Sequence, residues 1–300
     1  DALIPRASNR PGGATPNLSH LLVGSEGTLG FSTKIKLGLH RQPAHKVLGI
    51  CHFPTFYKAM ESTQHIVKLH PSAVELVDRT MMDLALGIPI FRPTIEKFVK
   101  GMPDSLLLVE FAGESEDEQH EKLDRLDQLM GDIGFPDAVV RATNSADQKE
   151  FWEVRKSGLN IMMSMKGDGK PVSFIEDCAV PLEDLAEYTD RLTQVFEKHG
   201  TTGTWYAHAS VGCLHVRPVI NLKDTEGAHK MRTIAEEAFE MVREYKGSHS
   251  GEHGDGLVRS DFHKDMFGKR MIKSFEEVKD IFDPNQSLNP GKIVRPPKMD

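Results

Sequence analysis

The chain has 300 residues, 39% hydrophobic and 27% charged, with 37 Lys plus Arg against 44 Asp plus Glu and a formal charge of −7. That balance excludes a disordered tail, no apolar run reaches the roughly 18–20 residues of a bilayer span, and the acidic excess excludes a general nucleic-acid binder. Cys51, Cys178 and Cys213 form no CxxC pair, which excludes an iron–sulfur cluster or zinc ribbon built from this chain alone and suits a reducing compartment.

Residues 1–17 carry Gly, Pro, Ser and Asn without apolar periodicity and read as loop. Together with the exit through Asn289-Pro290-Gly291-Lys292 and Arg295-Pro296-Pro297-Lys298, they lead us to expect a segment of a longer protein. Leu21-Leu22-Val23 reads as a strand running into a glycine-rich loop, Gly24 to Gly30. Val47 to Phe53 predicts a strand, and the apolar spacing over 55–69 and 75–86 predicts two helices. Leu106 to Val109 reads as a buried strand. Ser115 with Glu118 forms a capping box for a helix ending near Met130. Val139-Val140 is a weak strand, and Ser145 opens a long helix through Trp152, Leu159 and Met162.

Val172 to Val180 predicts a further strand, followed by a helix from Pro181 to Gly200. Strands follow at about 203–209 and 213–220, joined by a short turn that favours antiparallel pairing. A helix over 225–245, a loop from Gly247 to Gly256 and a last helical region ending near Asp283-Pro284 complete the chain. The expected class is α+β: a mixed or antiparallel sheet with helices packed on one face, in ferredoxin-like strand–helix repeats, plus a helical C-terminal segment.

Three constellations carry chemistry. His208-Ala-Ser-Val-Gly-Cys-Leu-His215 sets two imidazoles seven residues apart across a strand–turn–strand, where a hairpin brings both rings to one point. Imidazole is the commonest protein metal ligand, and Glu252-His253, flanked by Gly251 and Gly254, offers a third donor. Gly24, Gly27 and Gly30, with Ser25 and Thr28 between them, form a loop whose backbone amides are able to face a pyrophosphate or simply to turn the chain. Arg155 and Arg217 are candidate anion clamps, since a guanidinium grips a carboxylate with two parallel hydrogen bonds. Their alternatives are a solvated face for Arg155 and a structural salt bridge for Arg217. Glu176-Asp177 reads as a capping or pairing element, and Trp205-Tyr206 as sheet packing.

Leu22 to Gly30 resembles the loop that closes the flavin-binding domain of vanillyl-alcohol-oxidase-type FAD-linked oxidases. His208 to His215, Gly251-Glu-His-Gly254 and Asp283 to Lys292 resemble the C-terminal substrate domain of that family's D-2-hydroxyacid dehydrogenases. The wording of Phe174 to Pro181 and of His208 to Pro218 is most similar to the large bacterial enzymes that add an iron–sulfur region and oxidise D-2-hydroxyglutarate. Ser210, Val211 and Cys213 depart from the family pattern His-x-Gly-Asp-Gly-Asn-Leu-His, and Arg217 stands where Asn is common.

The resemblance implies that residues 1–42 are a remnant of the FAD-binding domain and 43–300 the substrate and metal domain. It implies His208, His215 and Glu252 as ligands of a divalent metal, zinc or another first-row ion, and His253 as general base. It implies substrate contacts from Arg155 and Arg217, with Lys170 a weaker candidate because the insertion around Gly167 blurs its alignment. FAD would be touched by Gly24, Ser25, Glu26, Gly27, Thr28 and Gly30 but held mostly by an N-terminal half absent from this sequence, and any iron–sulfur cluster would lie downstream. The implied substrate is a small 2-hydroxyacid, D-2-hydroxyglutarate first and D-lactate or glycolate as alternatives. The implied location is cytoplasmic or peripheral at the inner membrane face, and a homo-oligomer is compatible with it. A metal-dependent hydrolase and a non-catalytic binding domain are the readings from other classes.

Overall fold

A run such as Val47 to Phe53 cannot bury every apolar side chain on one side, because successive residues of a strand point to opposite faces. In the computed structural model, which describes residues 21–300, both faces of this strand are covered. The described residues divide into two compact units: Pro43–Gly251, and residues 21–42 with Glu252–Asp300. The loop expected over residues 1–17 lies outside the described residues.

The unit Pro43–Gly251 is built on an eight-stranded sheet of order β4-β1-β3-β2-β7-β8-β5, with β6 also on β8. The strands are β1 (His45–Phe53), β2 (Ala73–Asp78), β3 (Ser105–Gly113), β4 (Val139–Ala142), β5 (Lys170–Pro171), β6 (Cys178–Ala179), β7 (Gly203–His208) and β8 (Cys213–Ile220). Every pairing is antiparallel, which resolves the mixed-or-antiparallel expectation. On one face Leu48, Ile50, Val77 and Leu108 pack with Met81, Phe98, Phe151 and Val154. These come from α2 (Arg79–Leu86), α3 (Arg92–Phe98) and α5 (Ser145–Lys156). Gly49 points the other way, and a Cβ there would press on Leu123 and Leu126 of α4 (Glu116–Asp132). Helices therefore cover the opposite face as well as the expected one. The apolar strands β1 and β3 require that, since an uncovered face would leave several buried-type side chains in water at roughly 1.5–3 kcal/mol each.

Several local expectations hold. Ser115 caps α4 by accepting the Glu118 N–H at 3.3 Å, and α7 (Leu185–Lys198) ends at His199, just before Gly200. α8 (Thr225–Glu244) matches its predicted span. Three differ. The helix expected over 75–86 begins at Arg79, because Ala73–Asp78 is claimed as a strand by β3 on one side and β7 on the other. Asp78 is then its N-cap, accepting the Met81 N–H at 2.8 Å. The long helix from Ser145 breaks after Lys156 and resumes as α6 (Gly158–Met163), where Gly158 lets the Met81 side chain approach closely. Of the strand expected over 172–180 only Cys178–Ala179 forms; Lys170–Pro171 is a separate short strand before it, and Asp177 at φ 75° turns the chain between them.

In the other unit, residues 21–42 and 252–300 include α9 (Gly256–Arg259) and α10 (His263–Phe282), the latter interrupted at Gly268. Lys279 is buried here, and its ammonium donates to the Thr28 and Leu288 carbonyls, both at 2.7 Å, and to Asp283 at 2.6 Å. Three acceptors satisfy its three protons, so the charge is buried with its partners.

Candidate functional site

The β7–β8 hairpin turns through Ala209–Val211 and Gly212, whose φ is +68°. Its register pairs Tyr206 with His215, His208 with Cys213 and Thr204 with Arg217. Alternation sends all six side chains to one face. β2 lies on the other side of β7, with Glu75 opposite His208 and Val77 opposite Tyr206. The strand order thus delivers one carboxylate, two imidazoles, a phenol ring and a guanidinium to one patch of sheet.

The two imidazoles meet edge to face, with ring centroids 4.9 Å apart at 86°. Tyr206 lies beside His215 at 4.7 Å. Glu75 bridges two partners: one carboxylate oxygen is 2.7 Å from His208 Nδ1, and the other accepts from Arg155 Nη2 at 2.6 Å. Arg155 descends from the last turn of α5 and lies over the Tyr206 ring at 4.7 Å, a cation–π contact. Arg217 lies 5.8 Å from the same ring and donates through Nε to Glu176. All of these groups are buried except His208, whose side chain is 36% exposed. His208 is therefore the member through which a ligand would enter.

This donor set suits a divalent cation. A carboxylate on Nδ1 of His208 fixes that ring as the Nδ1–H tautomer and turns Nε2 outward, the usual second-sphere arrangement of a metal-bound histidine. The Arg155 Nε is buried with no hydrogen-bond partner among the described residues. Such an unmet donor costs on the order of 1–3 kcal/mol, and a ligand carboxylate would satisfy it. Arg155 is thus no solvated surface arginine. Arg217, by contrast, makes the salt bridge that the sequence left as its other role.

The remaining candidates lie as follows. Lys170 pairs with Ile220 at the far end of β8, about 17 Å of strand from His215. Its ammonium donates to the Met165 carbonyl at 2.5 Å, so it is not brought to the imidazole pair. Glu176 pairs with Arg217. Asp177 accepts Gly251 N–H on its carbonyl at 2.7 Å and Ser250 Oγ on its carboxylate at 3.3 Å. A cleft of about 350 Å³ beside Asp78, Asp104 and Trp205 opens on the opposite face of the sheet from Glu75 and is not this site. At its floor, burial pushes the Asp78 carboxyl up to about 7, while the Met81 and Trp205 N–H groups pull the other way.

In the other unit, Glu252 and His253 are exposed neighbours, with carboxylate and Nε2 3.7 Å apart. The Gly24–Gly30 loop uses its side chains internally. Ser25 Oγ donates to the Leu22 carbonyl at 2.9 Å and Thr28 Oγ1 to Ser25 at 2.6 Å. The Glu26 carboxylate accepts the Asp255 N–H, and the Gly256 N–H at 2.9 Å. A Cβ at Gly24, Gly27 or Gly30 would meet nothing within 4 Å, so the backbone there is open to a ligand while the hydroxyls and the carboxylate are committed. An adjoining cavity of about 290 Å³ has walls from Leu21, Val23, Phe267, Phe275 and Val278.

Sequence reasoning missed Glu75 and Tyr206. The signal for Glu75 was an acid inside the apolar run Val74-Glu75-Leu76-Val77, which strand burial makes costly unless the charge is paired. The signal for Tyr206 was its spacing of two from His208 on a predicted strand.

Residues 42–293 match the family described as FAD linked oxidases, C-terminal domain. The chain is 31% identical over 297 residues to the D-2-hydroxyglutarate dehydrogenase of Escherichia coli K12, covering 95% of this chain and 29% of that protein. It is 27% identical over 302 residues to the mitochondrial D-lactate dehydrogenase [cytochrome] of Arabidopsis thaliana, covering 99% of this chain and 50% of that one. Among solved structures, p-cresol methylhydroxylase with substrate bound superposes with a TM-score of 0.71 at 14% identity, covering 96% of this chain and 61% of that chain. The chain therefore spans under a third of the first curated relatives it matches. No described helix is long and apolar enough to cross a membrane. Sequence match and fold agree: the chain belongs to the family of FAD linked oxidases, as their C-terminal domain.

Proposed function

We propose that this chain is the substrate- and metal-binding portion of a flavin-dependent D-2-hydroxyacid dehydrogenase, with D-2-hydroxyglutarate as its substrate. The observation that carries the reading is the cluster on one sheet face: two imidazoles at 4.9 Å, with Glu75 fixing one ring and holding Arg155 beside it. The relatives' names support a 2-hydroxyacid, and two that are 31% identical to this chain are named for D-2-hydroxyglutarate.

In this reading His208, His215 and Glu252 hold a divalent ion, zinc or a first-row neighbour. When bound, the ion would supply Lewis acidity at the substrate's 2-hydroxyl and the flavin would supply a two-electron acceptor. Arg155 orients the substrate: its unpartnered Nε donates to the carboxylate next to the reacting carbon, while Tyr206 and Glu75 hold the guanidinium in place. His253 accepts the 2-hydroxyl proton as general base. The Gly24–Gly30 backbone contributes amides to the pyrophosphate of FAD, most of whose binding comes from sequence outside this chain.

The test uses the full-length protein that contains this chain. D-2-hydroxyglutarate is expected to bleach its flavin under anaerobic conditions, D-lactate and glycolate more slowly. Glu252→Ala is expected to abolish bleaching and leave the flavin bound. A colourless protein, or one that turns over unchanged after Glu252→Ala, contradicts the proposal.

A further inference from the structure

We propose that Glu75 is a positioning residue that prepares His208 for a divalent cation and ties that ligand to the Arg155 clamp. The inference rests on the metal reading above and adds a residue to it.

Glu75 is 8% exposed and lies between Val74 and Leu76 on a strand paired on both sides. A carboxylate in such surroundings is expensive unless both oxygens are satisfied by strong donors. Here each oxygen has its own partner: His208 Nδ1 at 2.7 Å and Arg155 Nη2 at 2.6 Å. These are charge-assisted contacts at the short end of the range. A packing role alone would be met by leucine, and pairing Arg155 alone would leave the second oxygen to spare. The division of the two oxygens between a ring nitrogen and a guanidinium is what orientation requires.

The consequence for His208 is chemical. A neutral imidazole has one protonated and one bare nitrogen, and the hydrogen bond made by one decides the role of the other. With Glu75 accepting at Nδ1, the proton sits there and Nε2 is the nitrogen that carries the lone pair. The negative charge also raises the basicity of Nε2. For Arg155, the same carboxylate takes Nη2, leaving Nε as the donor for an incoming anion. One side chain thus sets the direction of both the metal ligand and the anion clamp.

The test has two arms on the purified 300-residue chain. Long-range proton–nitrogen NMR of the metal-free protein at pH 8, assigned with His208→Ala, reads which ring nitrogen carries the proton. Titration with Co²⁺, followed by its absorption spectrum, reads cation affinity. The wild type is expected to show His208 as the Nδ1–H tautomer. Glu75→Leu is expected to shift it toward Nε2–H and weaken Co²⁺ by about 10–100-fold. Glu75→Gln, which keeps an acceptor but no charge, is expected to retain the Nδ1–H form and recover part of the affinity.

An Nε2–H tautomer in the wild type overturns the inference whether or not the Glu75 variants fold. So does Co²⁺ affinity unchanged in Glu75→Gln and Glu75→Leu while His208→Ala abolishes binding; in that case the metal reading stands and only the role of Glu75 falls. A wild-type chain that binds no Co²⁺ sinks the metal reading, and the inference with it.

Discussion

Replacing Gly212 with alanine tests whether the hairpin that presents His208 and His215 depends on one backbone geometry. Gly212 sits at φ +68°, and a Cβ there would overlap the Val180 carbonyl oxygen. The left-handed conformation alone costs an L-residue roughly 1–2 kcal/mol. The overlap must be relieved by moving backbone, which strains the bond from Val180 N–H to the Gly212 carbonyl at 3.2 Å. Losing that bond adds about 0.5–1.5 kcal/mol, for a total of about 1.5–3.5 kcal/mol. At roughly 2–4 °C per kcal/mol for a domain of this size, Gly212→Ala is expected to lower Tm by about 3–14 °C. Gly101 is the control, because its φ of +67° is nearly identical but a Cβ there meets nothing within 4 Å. Gly101→Ala is expected to cost only the conformational part. Urea titration and thermal unfolding of the two variants, side by side, measure the difference. Equal losses would refute the idea that the Val180 contact, rather than φ, constrains the turn.

Two further outcomes are expected. Asp78 is pushed up to about 7 by burial, against an ordinary value of 3.8. A carboxyl raised on folding contributes its full stability below pH 4 and loses it as pH rises through 7; at about 1.4 kcal/mol per pH unit the swing is roughly 4 kcal/mol. Asp78→Asn should therefore be less stable than wild type at pH 4, where it lacks the second acceptor for Trp205 N–H, and should close that gap by pH 8; a stability difference that is flat across this range contradicts the assignment. Fluorescence titration of the isolated chain with FAD should show weak binding, since the flavin contacts proposed for this chain are confined to the Gly24–Gly30 backbone; stoichiometric, tight binding would falsify the expectation that the remaining contacts come from elsewhere.

The hairpin was legible because alternation and a short turn leave little freedom: once 203–209 and 213–220 are strands, Tyr206, His208, His215 and Arg217 must share a face. The partner Glu75 was not, because its strand was read as helix. Val74-Glu75-Leu76-Val77 fits either period over so few residues, and only the pairing with β3 and β7 decides it. Residues 172–177 are apolar enough for a strand, yet backbone turning at Asp177 is set by the Gly251 and Leu214 bonds, which no local pattern carries. In the Gly24–Gly30 loop the glycine spacing suggested an anion cradle. It gave no hint that the acid in its midst, Glu26, would accept the backbone amides of Asp255 and Gly256.

The central claim is that His208 and His215 share a divalent ion. Diffraction from crystals of the chain soaked in Zn²⁺, with data collected at the zinc absorption edge, tests it most directly. The account predicts an anomalous peak about 2.0–2.1 Å from His208 Nε2 and from a ring nitrogen of His215, absent from His208→Ala crystals. Zinc bound elsewhere, or a peak that persists without His208, contradicts it.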